Sequence, residues 1–194
     1  VKRKITQKDS NIEPTDPELM LQVVDGDEKA FEALVQRHED TVFRLATRIL
    51  NGNVEEARDV AQDVFIQIWE NPRAWKPNAL FTTWLYRVTM NRSLNRRRML
   101  KLKSFFSISD IKDEDAILTS KNDTPDKQLE EGENQLQLER EFNRLPARQR
   151  VALHLRYREE LPVNDVAEAM GVSVKSAESL IFRGKRTLRG NIFL

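Results

Sequence analysis

Apolar residues in this chain recur every three to four positions, and no stretch alternates apolar with polar. Phe31, Leu34, Val35, Val42, Leu45, Ala46 and Ile49 keep the helical period, as do Val60, Ala61, Val64, Phe65 and Ile68. Phe81, Trp84, Leu85 and Val88 start a further helix. The spacing therefore predicts an all-α fold. Local signals set the boundaries. Asp16-Pro17 reads as an N-cap followed by proline at the first helical position. A second helix runs from Asp27 to about Asn51 and is closed by Gly52. Asn53 and Glu56 have capping-box spacing for a third, which ends at Pro72. These pieces form a compact helical domain over residues 16–103. Across residues 104–135 the periodicity is lost and the composition is polar and acidic, as expected of a flexible linker. Helical spacing resumes near Leu136, giving a second small domain over 136–194.

Charge is sorted along the chain. Residues 71–109 carry nine Lys/Arg and no acid, whereas residues 110–141 carry four cations and eleven acids. A solvated helix mixes both signs, so the stretch TTWLYRVTMNRSLNRRR, with five arginines behind Trp84 and Tyr86, points to an anionic partner that also stacks. Cysteine is absent, which excludes a disulfide framework, a thiolate metal site and a thiol nucleophile. Only two histidines occur; His38 is expected at the edge of the core and His154 on a helix surface. No glycine-rich phosphate loop and no cluster of acid, base and nucleophile is present, so a non-enzymatic protein without cofactor or metal is expected. No apolar run reaches the ~18 residues that cross a bilayer, and the basic start lacks the apolar core of a secretory signal, so a cytoplasmic location is expected.

Near the C-terminus, LPVNDVAEAMGVSVKSAESLIFRGKRTLR reads as two helices around a tight turn at Gly171-Val172-Ser173. Small Ala167 permits a close crossing, Gly171 supplies a positive φ, and Ser173 is an N-cap. Val174, Ala177, Ile181, Gly184 and Leu188 are expected to face the core. That leaves Lys175, Ser176, Glu178, Ser179, Phe182, Arg183 and Arg186 outward, the pattern of a helix-turn-helix with its second helix in the major groove.

The segments DGDEKAFEALVQRHEDTVFRLATRIL, EEARDVAQDVFIQIWE, FTTWLYRVTMNRSLNRRR and the helix-turn-helix resemble, in order and spacing, those of extracytoplasmic-function (ECF) sigma factors of the sigma-70 family. The resemblance implies region 2 and region 4 bundles joined by a linker, without regions 1.1 and 3. It implies a factor that binds core RNA polymerase through its β′ clamp helices and β subunit, recognises promoter DNA and promotes melting. Carried onto this chain, it places −10 recognition and melting on Lys76, Asn78, Phe81, Trp84, Arg87, Asn91, Arg92, Asn95 and Arg96. Asn78 lies in the loop that receives a flipped base. Clamp docking falls on Asp59, Gln62, Asp63 and Gln67. Contact with the −35 element falls on Ser173, Lys175, Ser176, Glu178, Ser179, Phe182, Arg183 and Arg186. It also implies silencing by an anti-sigma factor, and a linker that runs through the RNA-exit side of the cleft.

Several residues admit a plainer role. Phe81 and Trp84 also fit core packing, and the face of the third helix also fits simple solvation. Where family members often carry basic residues this chain has Glu178 and Leu180. Glu178 could accept from a cytosine amino group and Leu180 could meet a thymine methyl, or either could pack. The main rival is a stand-alone helix-turn-helix regulator that binds duplex DNA without polymerase.

Overall fold

The computed structural model describes residues 13–77, 79–107 and 129–192. Its helices are α1 (Asp16–Val24), α2 (Glu28–Ile49), α3 (Val54–Glu70), α4 (Phe81–Ser107), α5 (Leu129–Arg144), α6 (Ala147–Tyr157), α7 (Val163–Met170) and α8 (Val174–Ile192), with one 3-10 turn at Pro72–Ala74. No strand occurs among the described residues.

The first cap differs from expectation. Thr15, not Asp16, is the N-cap of α1. The Glu18 carboxylate accepts from both the Thr15 amide and the Thr15 hydroxyl at 2.8 Å. These bonds hold the Glu18 carboxyl below the usual carboxylate range, the backbone bond first. Asp16 is instead engaged by α2: its carboxylate accepts from Arg37 at 2.6 Å and meets His38 Nε2 at 2.9 Å. Asp27 caps α2, accepting from the amides of Lys29 (2.8 Å) and Ala30 (3.2 Å). Asn51 and Gly52, both at positive φ, reverse the chain, and Asn53 caps α3 through the Glu56 amide at 3.2 Å.

Two apolar clusters result. The first gathers Leu19, Met20 and Val23 of α1, Leu34, Val42 and Ala46 of α2, Val60, Val64 and Ile68 of α3, and Phe81 and Leu85 of α4. The second is shared between the two halves of the chain. Leu45 and Ile49 of α2 and Tyr86 and Met90 of α4 join Val151, Leu153 and Leu155 of α6, Val166, Ala167 and Met170 of α7, and Ala177 and Ile181 of α8. The two halves are therefore docked, along a seam that the period of each helix does not reveal.

Polar groups line that seam. The Tyr86 hydroxyl donates to Glu159 at 2.9 Å, and His154 Nε2 lies 3.2 Å from the other Glu159 oxygen. His154 is 4% exposed, contrary to the expected helix surface, because α2 covers the face of α6 that α8 leaves open. Arg48 forms a two-pronged ion pair with Glu139, one bond at 2.7 Å. Arg150 is wholly buried and donates to the carbonyls of Asn143 (3.0 Å) and Ile49 (3.2 Å). Burial, then the charges of Arg97 and Arg48, pushes its pKa down to about 10.

Helix α4 extends through Ser107 and α5 begins at Leu129, so both ends of the expected linker, 104–107 and 129–135, are helical. The rest of that linker, residues 108–128, lies outside the described residues.

Candidate functional site

Three surfaces carry the residues singled out by the sequence. On α3, Asp59, Gln62 and Asp63 are exposed and Gln67 is half-buried. Beside them lies α4, and the two helices are tied by side chains. Arg92 Nε donates to Gln67 at 2.9 Å, and Arg96 pairs with Glu56 and, at 3.1 Å, with Asp59. The Arg92–Gln67 and Arg96–Asp59 contacts are exposed, so each is worth at most ~1 kcal/mol and yields to a competing partner, whereas the Arg96–Glu56 pair is partly buried. Two arginines expected to hold DNA thus rest on two residues expected to meet polymerase.

Along α4 the expected nucleic-acid residues divide. Arg87, Asn91, Arg92 and Asn95 are exposed and Arg96 is half-buried. Lys76 is exposed in the preceding loop, which is closed by the Trp75 indole N–H donating to the Ala79 carbonyl at 3.1 Å; Asn78 lies outside the described residues. Phe81 is 2% exposed, its ring centroid 6.2 Å from Trp75, 5.4 Å from His38 and 5.9 Å from Trp84. It belongs to the core and offers no free face for a base. Trp84 is half-buried against the same cluster.

The turn between α7 and α8 follows the expected chemistry. Gly171 adopts φ +63°, and Val172 N–H returns to the Ala167 carbonyl at 3.0 Å. Ser173 Oγ accepts from the Ser176 amide at 3.2 Å, capping α8. Lys175, Ser176, Glu178, Ser179, Phe182, Arg183 and Arg186 are all exposed, Phe182 by 65%. One assignment changes and one open choice closes. Val174 is 42% exposed and not a core residue, because α8 first meets the bundle at Ala177. Leu180 is half-buried and packs on the second cluster, away from the outer face.

Sequence reasoning missed an apolar patch. Ile66 (43% exposed) and Trp69 (38%) stand off the buried stripe of α3. With Phe31, Val35, Ala61 and Phe65 they line an open groove of about 450 Å³, rimmed by Glu39, Gln62 and Glu70. The signal was present, since positions 66 and 69 fall outside the 60-64-68 register. Among the described residues no group of His, Asp and Glu could hold a metal ion, and no helix is long and apolar enough to cross a membrane.

Comparison with known proteins decides what this arrangement belongs to. Residues 34–102 match the Sigma-70 region 2 family and residues 135–188 match Sigma-70, region 4. The chain is 30% identical over 173 residues to the ECF RNA polymerase sigma factor SigW of Bacillus subtilis (strain 168), covering 87% of this chain and 91% of that protein. The chain belongs to the ECF RNA polymerase sigma factors. A second relative, the ECF RNA polymerase sigma-E factor of Haemophilus influenzae, is 31% identical over 184 residues, covering 92% of this sigma factor and 95% of the relative. The sigma factor RpoE of Bartonella quintana, solved in complex with the anti-sigma factor NepR, shares the fold. Its TM-score is 0.65 at 18% identity, over 86% of this chain and 98% of that one. In this sigma factor the region 2 match runs through α2–α4 and the region 4 match through α5–α8.

Proposed function

We propose that this sigma factor reads two promoter elements through two separate surfaces and engages core polymerase through a third. The observation that carries the reading is the coexistence, in one chain, of an acid-free arginine face on α4 and a capped helix-turn-helix on α7–α8. On α4, Arg87, Asn91, Arg92, Asn95 and Arg96 grip the −10 backbone, while Lys76, Asn78 and the half-buried Trp84 border the separated strand. Base–aromatic stacking is worth ~1–3 kcal/mol per base and phosphate contacts give a steep salt dependence. On α8, Ser173, Lys175, Ser176, Glu178, Ser179, Phe182, Arg183 and Arg186 meet the −35 major groove. Asp59, Gln62, Asp63 and Gln67, with neighbouring Ile66 and Trp69, dock on the β′ clamp helices. The protein acts in the cytoplasm, catalyses no reaction itself and is held in check by an anti-sigma factor.

The docked arrangement bears on this scheme. The Arg87 guanidinium lies 3.6 Å from where a β-carbon on Gly171 would sit, so the two DNA surfaces touch. The −35 and −10 elements are about 25 base pairs apart, roughly 85 Å at ~3.4 Å per pair. One molecule can reach both only after the halves separate, so the docked form is the resting state.

Run-off transcription on a promoter library with core polymerase tests the reading. Start sites that depend on the protein, and fade when Asn78→Ala and Arg92→Ala are combined, are expected. Tight duplex binding by the protein alone, with no new start sites, would instead favour a stand-alone regulator.

A further inference from the structure

Helix α8 carries five cations, Lys175, Arg183, Lys185, Arg186 and Arg189, and a single acid, Glu178. Nothing in the fold accounts for that acid. Glu178 is exposed, and among the described residues it makes no ion pair or hydrogen bond, although Lys175 lies one turn before it. It is the fifth residue of the helix, past the first turn in which a carboxylate gains from the helix dipole. Capping of α8 is already performed by Ser173. Phe182 follows one turn later on the same side, also exposed and in no ring contact.

A carboxylate on a helix face that enters a groove between phosphates is repelled by them unless it meets a donor there. In the major groove the donors are the exocyclic amino groups of cytosine and adenine. Adenine sets its N7 lone pair beside its amino group, and that lone pair repels an anion. Guanine and thymine offer acceptors only. Cytosine N4–H is therefore the one base-edge group that a carboxylate meets without penalty.

We infer that Glu178 fixes a cytosine in the −35 element by accepting a hydrogen bond from its N4 amino group. This rests on the assignment of α8 to −35 recognition. Leu180, the other residue considered for base contact, is removed from contention by its packing on the second cluster. One position of the element then demands C because of position 178.

The test is transcription by reconstituted holoenzyme, full chain plus core polymerase, on templates randomised across the −35 element, with wild type, Glu178→Ala and Glu178→Gln. Wild type should favour C at one position by about 5- to 150-fold, the span of a good base contact. Glu178→Ala should flatten that position alone. Glu178→Gln should move its preference to A, since an amide can both accept from N6 and donate to N7. Unchanged preferences in both variants overturn the inference. So does a uniform rise in output on all templates with Glu178→Ala, which would make the carboxylate only a brake on phosphate binding. Absence of any factor-dependent transcript with wild type is a different failure: it removes the −35 assignment itself, and this inference with it.

Discussion

Replacing Tyr86 by Phe takes one oxygen from the seam between the two halves and leaves the ring in place. In the docked form that hydroxyl donates to Glu159 at 2.9 Å, and Tyr86 is only 8% exposed, so water is poorly placed to substitute. Hydrogen bonds to a charged acceptor contribute ~1.5–3 kcal/mol. The ring packing is conserved, so no cavity term adds to this. Glu159 keeps His154 at 3.2 Å, which places the expected loss within that range rather than above it. Docking should therefore weaken by about 10- to 150-fold, at ~1.4 kcal/mol per decade. The absence of cysteine makes the assay direct, because Glu70→Cys and Arg189→Cys introduce the only thiols for a donor–acceptor pair. Mild urea brings docked and separated populations into a measurable ratio, and Tyr86→Phe should shift that ratio strongly toward separation. Adding Glu159→Ala, which removes the acceptor, closes a double-mutant cycle whose coupling should match the single loss. A ratio within twofold of wild type, or a coupling below ~0.5 kcal/mol, would show that the hydrogen bond does not hold the halves together.

Glu159 also predicts a pH response. Its carboxyl is held below its usual value first by His154, which belongs to the same half, and, despite burial, by Tyr86 and Arg44 across the seam, so the folded chain binds fewer protons there than the unfolded one. That contribution to stability should be complete above the ordinary carboxylate value of 4.5 and be lost as pH falls through the lowered one, read as a falling thermal midpoint that Glu159→Gln makes less pH-dependent. At Gly184, inside α8, a β-carbon would stand 2.8 Å from Leu153 Cδ1, so an overpacking cost of ~1–3 kcal/mol, offset by the ~0.5–1 kcal/mol gained on replacing a mid-helix glycine, should leave Gly184→Ala less stable by up to ~2 kcal/mol in thermal unfolding. Pairing it with Leu153→Val should recover part of the loss. Gly171→Ala, at φ +63°, should destabilise by ~1–2 kcal/mol, and Gly171→Asn by less, because Asn tolerates the left-handed region.

Helix periods and caps made the separate elements legible. The α7–α8 turn was readable because Ala167, Gly171 and Ser173 each have one local job that few residue types can do. What escaped was what lies across a surface. Leu45, Ile49 and Met90 fit the apolar register of their own helices, and nothing in that register says that they pack on another domain. His154 was expected on a helix surface for the same reason, since polarity predicts exposure only when no second surface arrives. Thr15 displaced Asp16 as the cap because Asp16 has two distant partners on α2, a contest that adjacent residues cannot report. At the candidate surfaces, outward positions on α8 were legible from spacing, whereas Phe81 was ambiguous until its burial was seen.

The second apolar cluster also limits how freely the halves of this protein can be exchanged. A chimera joining α1–α4 to the second half of a relative without equivalents of Glu159 and Arg150 would leave the Tyr86 hydroxyl without its carboxylate and the Ile49 carbonyl without its donor. Such a hybrid could keep both DNA specificities and still lose its resting state. Matched transplantation of 150, 154 and 159 with the second half, and of 45, 49, 86 and 90 with the first, is the minimum unit of exchange.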